Sequence, residues 1–332
     1  MSSLESQKSL FLKNVLVTGA AGFIGSNLCK ALCLQGYQVL GMDNLATGFE
    51  SNLSELRGIS NFKFVNADIR DLNSCKEVVA DQHIVFHQAA LGSVPRSVAD
   101  PVTTNEVNVS GFLNLLKSCA DNDVDRFIYA ASSSTYGDSP SLPKVESVIG
   151  KPLSPYAITK YVNELYADVF HKTYGIDTIG LRYFNVFGPY QDPGGAYAAV
   201  IPAFVKAFMN LEPVYINGDG TYSRDFTFVD NVVQANIRAM EAKNPQSLNQ
   251  VYNVAFGQRT TILELAEAIK TRLIVKDARI ADVPILHRKA RAGDVPHSLA
   301  SIEKARSLLN YDPKFDILQG LDRSIQWYWE NL

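Results

Sequence analysis

The chain has 332 residues, 46% of them hydrophobic and 20% charged, with a formal net charge of −3. That length allows one large domain or two moderate ones. The lack of a basic excess argues against nucleic acid or an anionic membrane as partner and for a small molecule. No apolar run approaches the ~20 residues of a membrane-spanning helix, and the opening MSSLESQKSLFLK lacks a signal peptide's apolar centre. A cytoplasmic protein is expected.

Short β-branched runs alternate with amphipathic stretches along the first half. Asn14–Thr18 reads as a buried strand, followed by a helix from near Gly22 to about Gly36. Further strands are expected at Tyr37–Met42, Phe62–Val65, Ile84–His87 and Arg126–Ala131. Helical patterns fall near 71–80 and 101–121, a long helix over about Pro155–Tyr174, and a strand at Thr178–Leu181. Strands separated by helices of this length predict an α/β fold, a Rossmann-type doubly wound parallel sheet. After residue 182 loops lengthen, which places a smaller C-terminal lobe over 182–332 beside a first domain over 1–181. Pieces such as Val251–Ala255 are candidates to rejoin the sheet. Cys29, Cys33, Cys75 and Cys119 and the five histidines show no metal spacing. Reduced, buried thiols and no metal site are therefore expected.

Gly19-Ala-Ala-Gly22-Phe23-Ile24-Gly25 follows the first strand and opens a helix. Glycines there let the backbone approach a pyrophosphate, and the helix N-terminus supplies unpaired N–H groups. A tight strand–helix turn is the plainer reading. Asp43, eighteen residues after Gly25 at the end of the next strand, tips the balance toward a dinucleotide, since a carboxylate there accepts the ribose hydroxyls. No Arg or Lys follows it closely, which favours NAD over NADP. Asp68 and Ile69, after the third strand, are candidates to meet the adenine, with Asp68 otherwise a helix N-cap.

Tyr156 and Lys160 stand at i and i+4 on the long helix and share a face. An ammonium beside the phenol favours phenolate, which an isolated tyrosine does not form at neutral pH. Ser132-Ser133-Ser134 lies at the carboxyl end of a strand, where a parallel sheet places its ligand crevice.

Glycine turn, serine and Tyr-x-x-x-Lys, together with HQAA, NVSG, SSSTYG, SPYAITK, LRYFNVFGP and RAGDVPHS, resemble the extended short-chain dehydrogenase/reductases over nearly the whole chain. Within that family the chain is similar to the nucleotide-sugar 4-epimerases, in the branch that handles UDP-N-acetylglucosamine and its galacto epimer. The resemblance implies tightly held NAD, with Tyr156 as base and acid, Lys160 on the nicotinamide ribose and Ser132 on the sugar O4. It implies oxidation at C4, rotation of a 4-keto sugar, and return of the hydride to the other face. Asn44, Gln88, Ala89, Ala90, Asn108 and Tyr183 are implied as further cofactor contacts. Gly92, Ser93, Ser133, Asn185, Gln191, Arg224, Arg291, Asp294 and Ser298 are implied as contacts to the UDP-sugar. Arg224 is otherwise a surface ion pair with Asp225. Ser298 stands where epimerases restricted to UDP-glucose and UDP-galactose carry tyrosine, which leaves room for an N-acetyl group. The resemblance further implies a homodimer through the helices near 101–121 and 154–174, and surface polysaccharide synthesis is a reasonable use of the product. Rival readings are an epimerase of the matching uronate, with Arg96 on the carboxylate, a UDP-uronate decarboxylase, and a non-enzymatic NAD sensor. Dehydration is disfavoured, because dehydratase relatives carry Asp-Glu where this chain has Ser133-Ser134.

Overall fold

The computed structural model describes residues 13–192, 199–289 and 295–332. Strand β1 (Asn14–Thr18) leads into α1 (Phe23–Leu34), followed by β2 (Gln38–Asp43), β3 (Phe62–Asn66), α2 (Leu72–Val79) and β4 (Ile84–His87). Helices α3 (Val94–Ala99) and α4 (Pro101–Asn105) run into a π-helical turn (Glu106–Gly111) and α5 (Phe112–Asp121). Then come β5 (Arg126–Ser132), α6 (Pro155–Tyr174), β6 (Thr178–Tyr183), β7 (Val186–Phe187), α7 (Val200–Met209), β8 (Val214–Asn217), β9 (Ser223–Arg224) and β10 (Thr227–Phe228). The described chain closes with α8 (Val229–Glu241), β11 (Gln250–Val254), β12 (Thr260–Thr261), α9 (Ile262–Ile274), β13 (Ile285–Arg288), α10 (Glu303–Leu309) and α11 (Ile317–Asn331).

Among the described residues one sheet has seven strands in the order β11-β6-β5-β4-β1-β2-β3, all parallel. Side chains alternate across it, as the two-residue strand period requires. Val15 and Val17 enter one core with Leu28 of α1 and Val232 of α8, while Leu16 enters another with Phe112 of α5 and Phe170 of α6. Both faces are thus covered, which explains why the central strands β1, β4 and β5 run Val15–Val17, Ile84–Phe86 and Phe127–Ala131 without a charged residue. The chain order reverses between β1 and β4, and that switch point opens the crevice where ligands bind in such sheets.

A third core joins α7, α9 and α11 to Val214 and Ile216 of β8. The C-terminal half does not form a separate body, because β11 pairs with β6 and α8 and α10 pack into the core of the sheet's first face. The expected return of 251–255 to the sheet is therefore observed, as β11. The expected helix over 101–121 is instead α4, the π turn and α5. Asn108 lies inside that turn, and its buried amide bonds both the N–H and the carbonyl of Leu91.

Candidate active site

At the carboxyl end of β1 the chain turns through Gly19 at φ +71, where a Cβ would lie 2.7 Å from the Ala89 nitrogen. A Cβ on Gly25 would lie 2.0 Å from the Gly19 carbonyl oxygen. Both positions therefore require glycine, the first for its backbone and both for closeness. Helix α1 then starts with Gly22 as N-cap, no capping side chain and no acidic residue in its first turn. Its end is left to an anion, since the first N–H groups of a helix have no internal partner. Phe23 and Ile24 open the helix with their side chains packed into the cores, so they offer the crevice backbone only.

Around this turn lies a cavity of about 210 Å³ lined by Gly19, Gly22, Asp43, Asn44, Asp68 and Ile69, with Gln88, Ala89 and Ala90 opposite. Asp43 closes β2, and its carboxylate accepts the N–H groups of Ala21 (3.0 Å) and Leu45 (2.8 Å). Burial raises its pKa, against the pull of those bonds. The carboxylate so braces the glycine turn and keeps lone pairs for two ribose hydroxyls. Asp68 is gripped by Arg70 and Asn44 (2.7 and 2.8 Å), and Arg70 holds its carboxyl down to about 2. The cap of α2 is Asp71, which accepts from Asn73; the capping role offered for Asp68 is corrected, since the chain needs one more turn to enter the helix. These groups fit a dinucleotide: uncapped helix end, close backbone turn and acceptor carboxylate.

Deeper in, Gln88, Tyr183 and Asn236 close a ring of hydrogen bonds. Tyr183 donates to Gln88 (3.0 Å), Gln88 to Asn236 (3.2 Å) and Asn236 to Tyr183 (2.9 Å). The Tyr183 hydroxyl is thereby occupied, and Asn236 on α8 is a member that no sequence motif announced. Asn108 also donates to Thr159 (3.2 Å), next to Lys160.

Ser132 ends β5 and accepts from the Ser134 hydroxyl at 2.8 Å. Ser154 caps α6 with Pro155 at its first position, which aims Tyr156 at the strand end. The Tyr156 N–H donates to Ser97 Oγ (3.0 Å), a buried serine that sequence reasoning missed. Burial raises the Tyr156 phenol, and a hydrogen bond with Ser132 pulls it back. Lys160 is 2% exposed and donates to the Ala130 carbonyl at 2.7 Å. Desolvation brings its ammonium down to about 8. In the protein by itself, then, Ser132 lowers the phenol, whereas the lysine is held by β5.

A larger cavity of about 740 Å³ brings together Asn185, Gln191 and Arg224, with Tyr215, Tyr222 and Arg288, for which the sequence carried no motif. The guanidinium of Arg288 stacks 3.6 Å from the Tyr215 ring centroid. Asn185 sits at φ +34, uncommon for a residue with a side chain. Gln191 uses its amide on the Val186 carbonyl and accepts from the Tyr328 hydroxyl. Arg224 donates to the carbonyls of Ser223 and Pro296 (3.0 and 3.1 Å). A surface pair between Arg224 and Asp225 is ruled out, because Asp225 is fully buried and bonds backbone N–H groups. Ser298 donates its N–H to the Ser223 carbonyl (3.0 Å), so it is anchored beside Arg224. Ser93 caps α3 by accepting from Arg96, Gly92 before it is exposed, and Ser133 opens a short 3-10 turn. Arg291 and Asp294 lie outside the described residues.

Among the described residues no group of His, Cys, Asp or Glu is arranged for a metal, and all four cysteines are free and buried. No described helix is long and apolar enough to cross a membrane.

Residues 15–255 match the model of the NAD dependent epimerase/dehydratase family. The chain belongs to this family. It is 37% identical over 319 residues to a putative UDP-glucose 4-epimerase of Methanocaldococcus jannaschii, covering 96% of this chain and 99% of that one. It is 35% identical to a UDP-glucuronate 4-epimerase of Thermodesulfobacterium geofontis, over 96% of both chains. A solved UDP-N-acetylglucosamine 4-epimerase from Methanobrevibacter ruminantium M1, in complex with UDP-N-acetylmuramic acid, superposes with a TM-score of 0.89 at 39% identity, covering 96% of this chain and 99% of that one. The family is NAD dependent.

Proposed function

We propose that the protein interconverts UDP-N-acetylglucosamine and UDP-N-acetylgalactosamine. The coarser reading, an NAD-dependent UDP-sugar 4-epimerase, rests on the family match and on relatives of that activity along nearly their whole length. The observation that carries the chemistry is the joining of Ser132, Tyr156 and Lys160 at the carboxyl end of β5. Bound NAD would supply the acceptor and donor of a hydride at sugar C4. Tyr156 takes the O4 proton and later returns it, and Ser132 holds O4 against the phenol. Lys160, fixed by Ala130, presents its positive charge to the cofactor ribose side and favours phenolate when the base is needed. Ser133-Ser134 offers no acid–base pair for water loss, which speaks against dehydration.

The division of labour is cofactor on 1–181 and nucleotide sugar mainly on 182–332. Arg224 suits a diphosphate, because its planar fork matches phosphate oxygens. The choice of the N-acetylated sugar rests on Ser298, small and anchored beside Arg224. The UDP-glucuronate 4-epimerase relative supports a second reading, the uronate. Incubation of the enzyme with UDP-N-acetylglucosamine, UDP-glucose, UDP-glucuronate and UDP-N-acetylglucosaminuronate, followed by proton NMR of C4, separates them. Turnover fastest for the first is expected; turnover of a uronate alone would replace the substrate and keep the chemistry.

We further propose a homodimer through α6 with α3 and α4. Ile158, Leu165 and Val169 of α6, with Val98 and Val102 beside them, are half exposed or more on packed neighbouring helices. Sedimentation of the parent and of Leu165→Glu tests it: a monomeric parent would overturn the proposal.

A further inference from the structure

Asp225 follows Arg224, yet its side chain faces away from solvent entirely, at 0% exposure. Among the described residues no cation pairs with it; its carboxylate accepts backbone N–H groups. Oδ1 takes Phe256 (3.1 Å) and Gly257 (3.2 Å), and Oδ2 takes Gly257 (3.2 Å) and Ala300 (3.2 Å). Its own carbonyl accepts the amide of Asn185 at 3.0 Å. One residue therefore touches three separate segments: the turn after β11, the stretch carrying Ser298, and the cavity residue Asn185.

The Ser298 stretch is fastened to the same place from the other side. Ser223 donates its N–H to Pro296 and accepts that of Ser298, both at 3.0 Å, while its hydroxyl meets His297 Nδ1 at 2.9 Å. Lys144 pairs with the residues on either side of Ala300, donating its N–H to the Leu299 carbonyl and accepting that of Ser301. An uncompensated carboxylate is costly to bury, and burial pushes this one up to about 7 against its backbone bonds. A neutral side chain in a merely structural position avoids that cost, whereas three converging N–H groups from two loops need an acceptor with several lone pairs.

We propose that Asp225 is a positioning residue for the nucleotide-sugar pocket, holding Arg224, Asn185 and the Ser298 segment in one register and so setting affinity for UDP and selection at Ser298. The selection part rests on the function proposed above; the UDP part does not.

Asp225→Asn keeps the shape and removes part of the acceptor capacity. In the holoenzyme we expect UDP affinity by calorimetry and KM for UDP-N-acetylglucosamine to weaken about tenfold, the scale of one charge-assisted hydrogen bond lost from the anchorage of the Ser298 segment. kcat should change less than twofold, with NAD content unchanged. Amide exchange should quicken over 295–301 and 256–257 and stay unchanged over β1 and β4. Ser223→Ala, which removes only the hydroxyl contact to His297, should move the same readouts in the same direction by a smaller factor, and it serves if the first variant does not fold. UDP affinity within twofold of the parent in a folded variant would overturn the proposal, as would a fall in kcat at unchanged KM. A parent that binds UDP but does not epimerise UDP-N-acetylglucosamine would sink the substrate reading instead, and the UDP arm would still decide the role of Asp225.

Discussion

Glu164→Gln tests the buried link between α6 and the sheet. Glu164 lies on α6 one turn beyond Lys160, and Arg182 on β6 grips it through two bonds, Nε to Oε1 at 2.9 Å and Nη2 to Oε2 at 2.7 Å. The Arg182 and Glu164 side chains are 4% and 7% exposed. Arg182 also donates to the Glu146 carbonyl and stacks 4.8 Å from the Tyr136 ring centroid, so it has no route to water. Glutamine preserves the shape but leaves a guanidinium without its counter-charge. Breaking one side of such a buried pair costs about 3–5 kcal/mol. At about 2.1 cal/mol/K per residue, 332 residues give an unfolding entropy near 0.7 kcal/mol/K. The expected fall in Tm is then about 4–7 °C. Calorimetry at fixed NAD content measures it, because bound cofactor shifts Tm by itself. Lys172→Gln, which breaks the exposed pair with Asp168 on the same helix, should leave Tm within about 1 °C. Equal falls in both variants would refute the claim that burial makes the first pair matter. The same change acts on Lys160, whose ammonium burial lowers to about 8 while the charge of Glu164 raises it. The ammonium is present below that pKa and lost above it. Removing Glu164's charge should therefore move the alkaline limb of kcat to lower pH.

Tyr156→Phe should lower kcat by about 10²–10⁴-fold with NAD retained, read by turnover and by cofactor released on denaturation; full activity would remove Tyr156 from the mechanism. Gly25→Ala forces a Cβ to 2.0 Å from the Gly19 carbonyl, so the purified variant should carry little NAD, whatever its fold by circular dichroism. Asp43→Ala should also lose NAD, through both the ribose acceptor and the brace on Ala21 and Leu45. Ser298→Tyr should suppress turnover of N-acetylated substrates while sparing UDP-glucose or UDP-galactose; an equal fall in both would end the steric argument.

The most legible parts were those where local and global signals agree. Helix α6 runs over the expected Pro155–Tyr174 because Ser154 caps one end, Pro155 suits the first turn, and Gly175 at φ +76 closes the other. Strand β6 runs past its expected end at Leu181 because Arg182 and Tyr183 look like loop residues by polarity. Their partners, Glu164 and the Gln88–Asn236 pair, are distant in sequence. The π turn at Glu106–Gly111 was invisible for the same reason, since its Asn108 answers to Leu91. In the larger cavity, Tyr215 and Arg288 come together only when β8 and β13 pair, which no spacing reveals.

The parallel sheet explains why so short a set of motifs locates the chemistry. Each strand delivers its last residue to the same edge: Thr18 before Gly19, Asp43, His87 before Gln88, Ser132 and Tyr183. The edge is tied laterally as well as along the chain. Thr18 Oγ1 accepts from Ala89 at 3.3 Å and meets His87 Nδ1 at 2.8 Å, which joins β1 to β4. His87 is held there as the neutral imidazole. Burial, with Lys160 nearby, lowers His87 to about 3 and keeps it so across the working pH range. Gln88, Tyr183 and Asn236 then join β4 to β6 and to α8 from the second half of the chain. A cofactor set on this edge and a sugar held near Arg224 are therefore referred to one rigid frame. On the mechanism proposed above, placement within that frame, more than any single side chain, would bring the Tyr156 hydroxyl to the sugar O4 and the cofactor to C4.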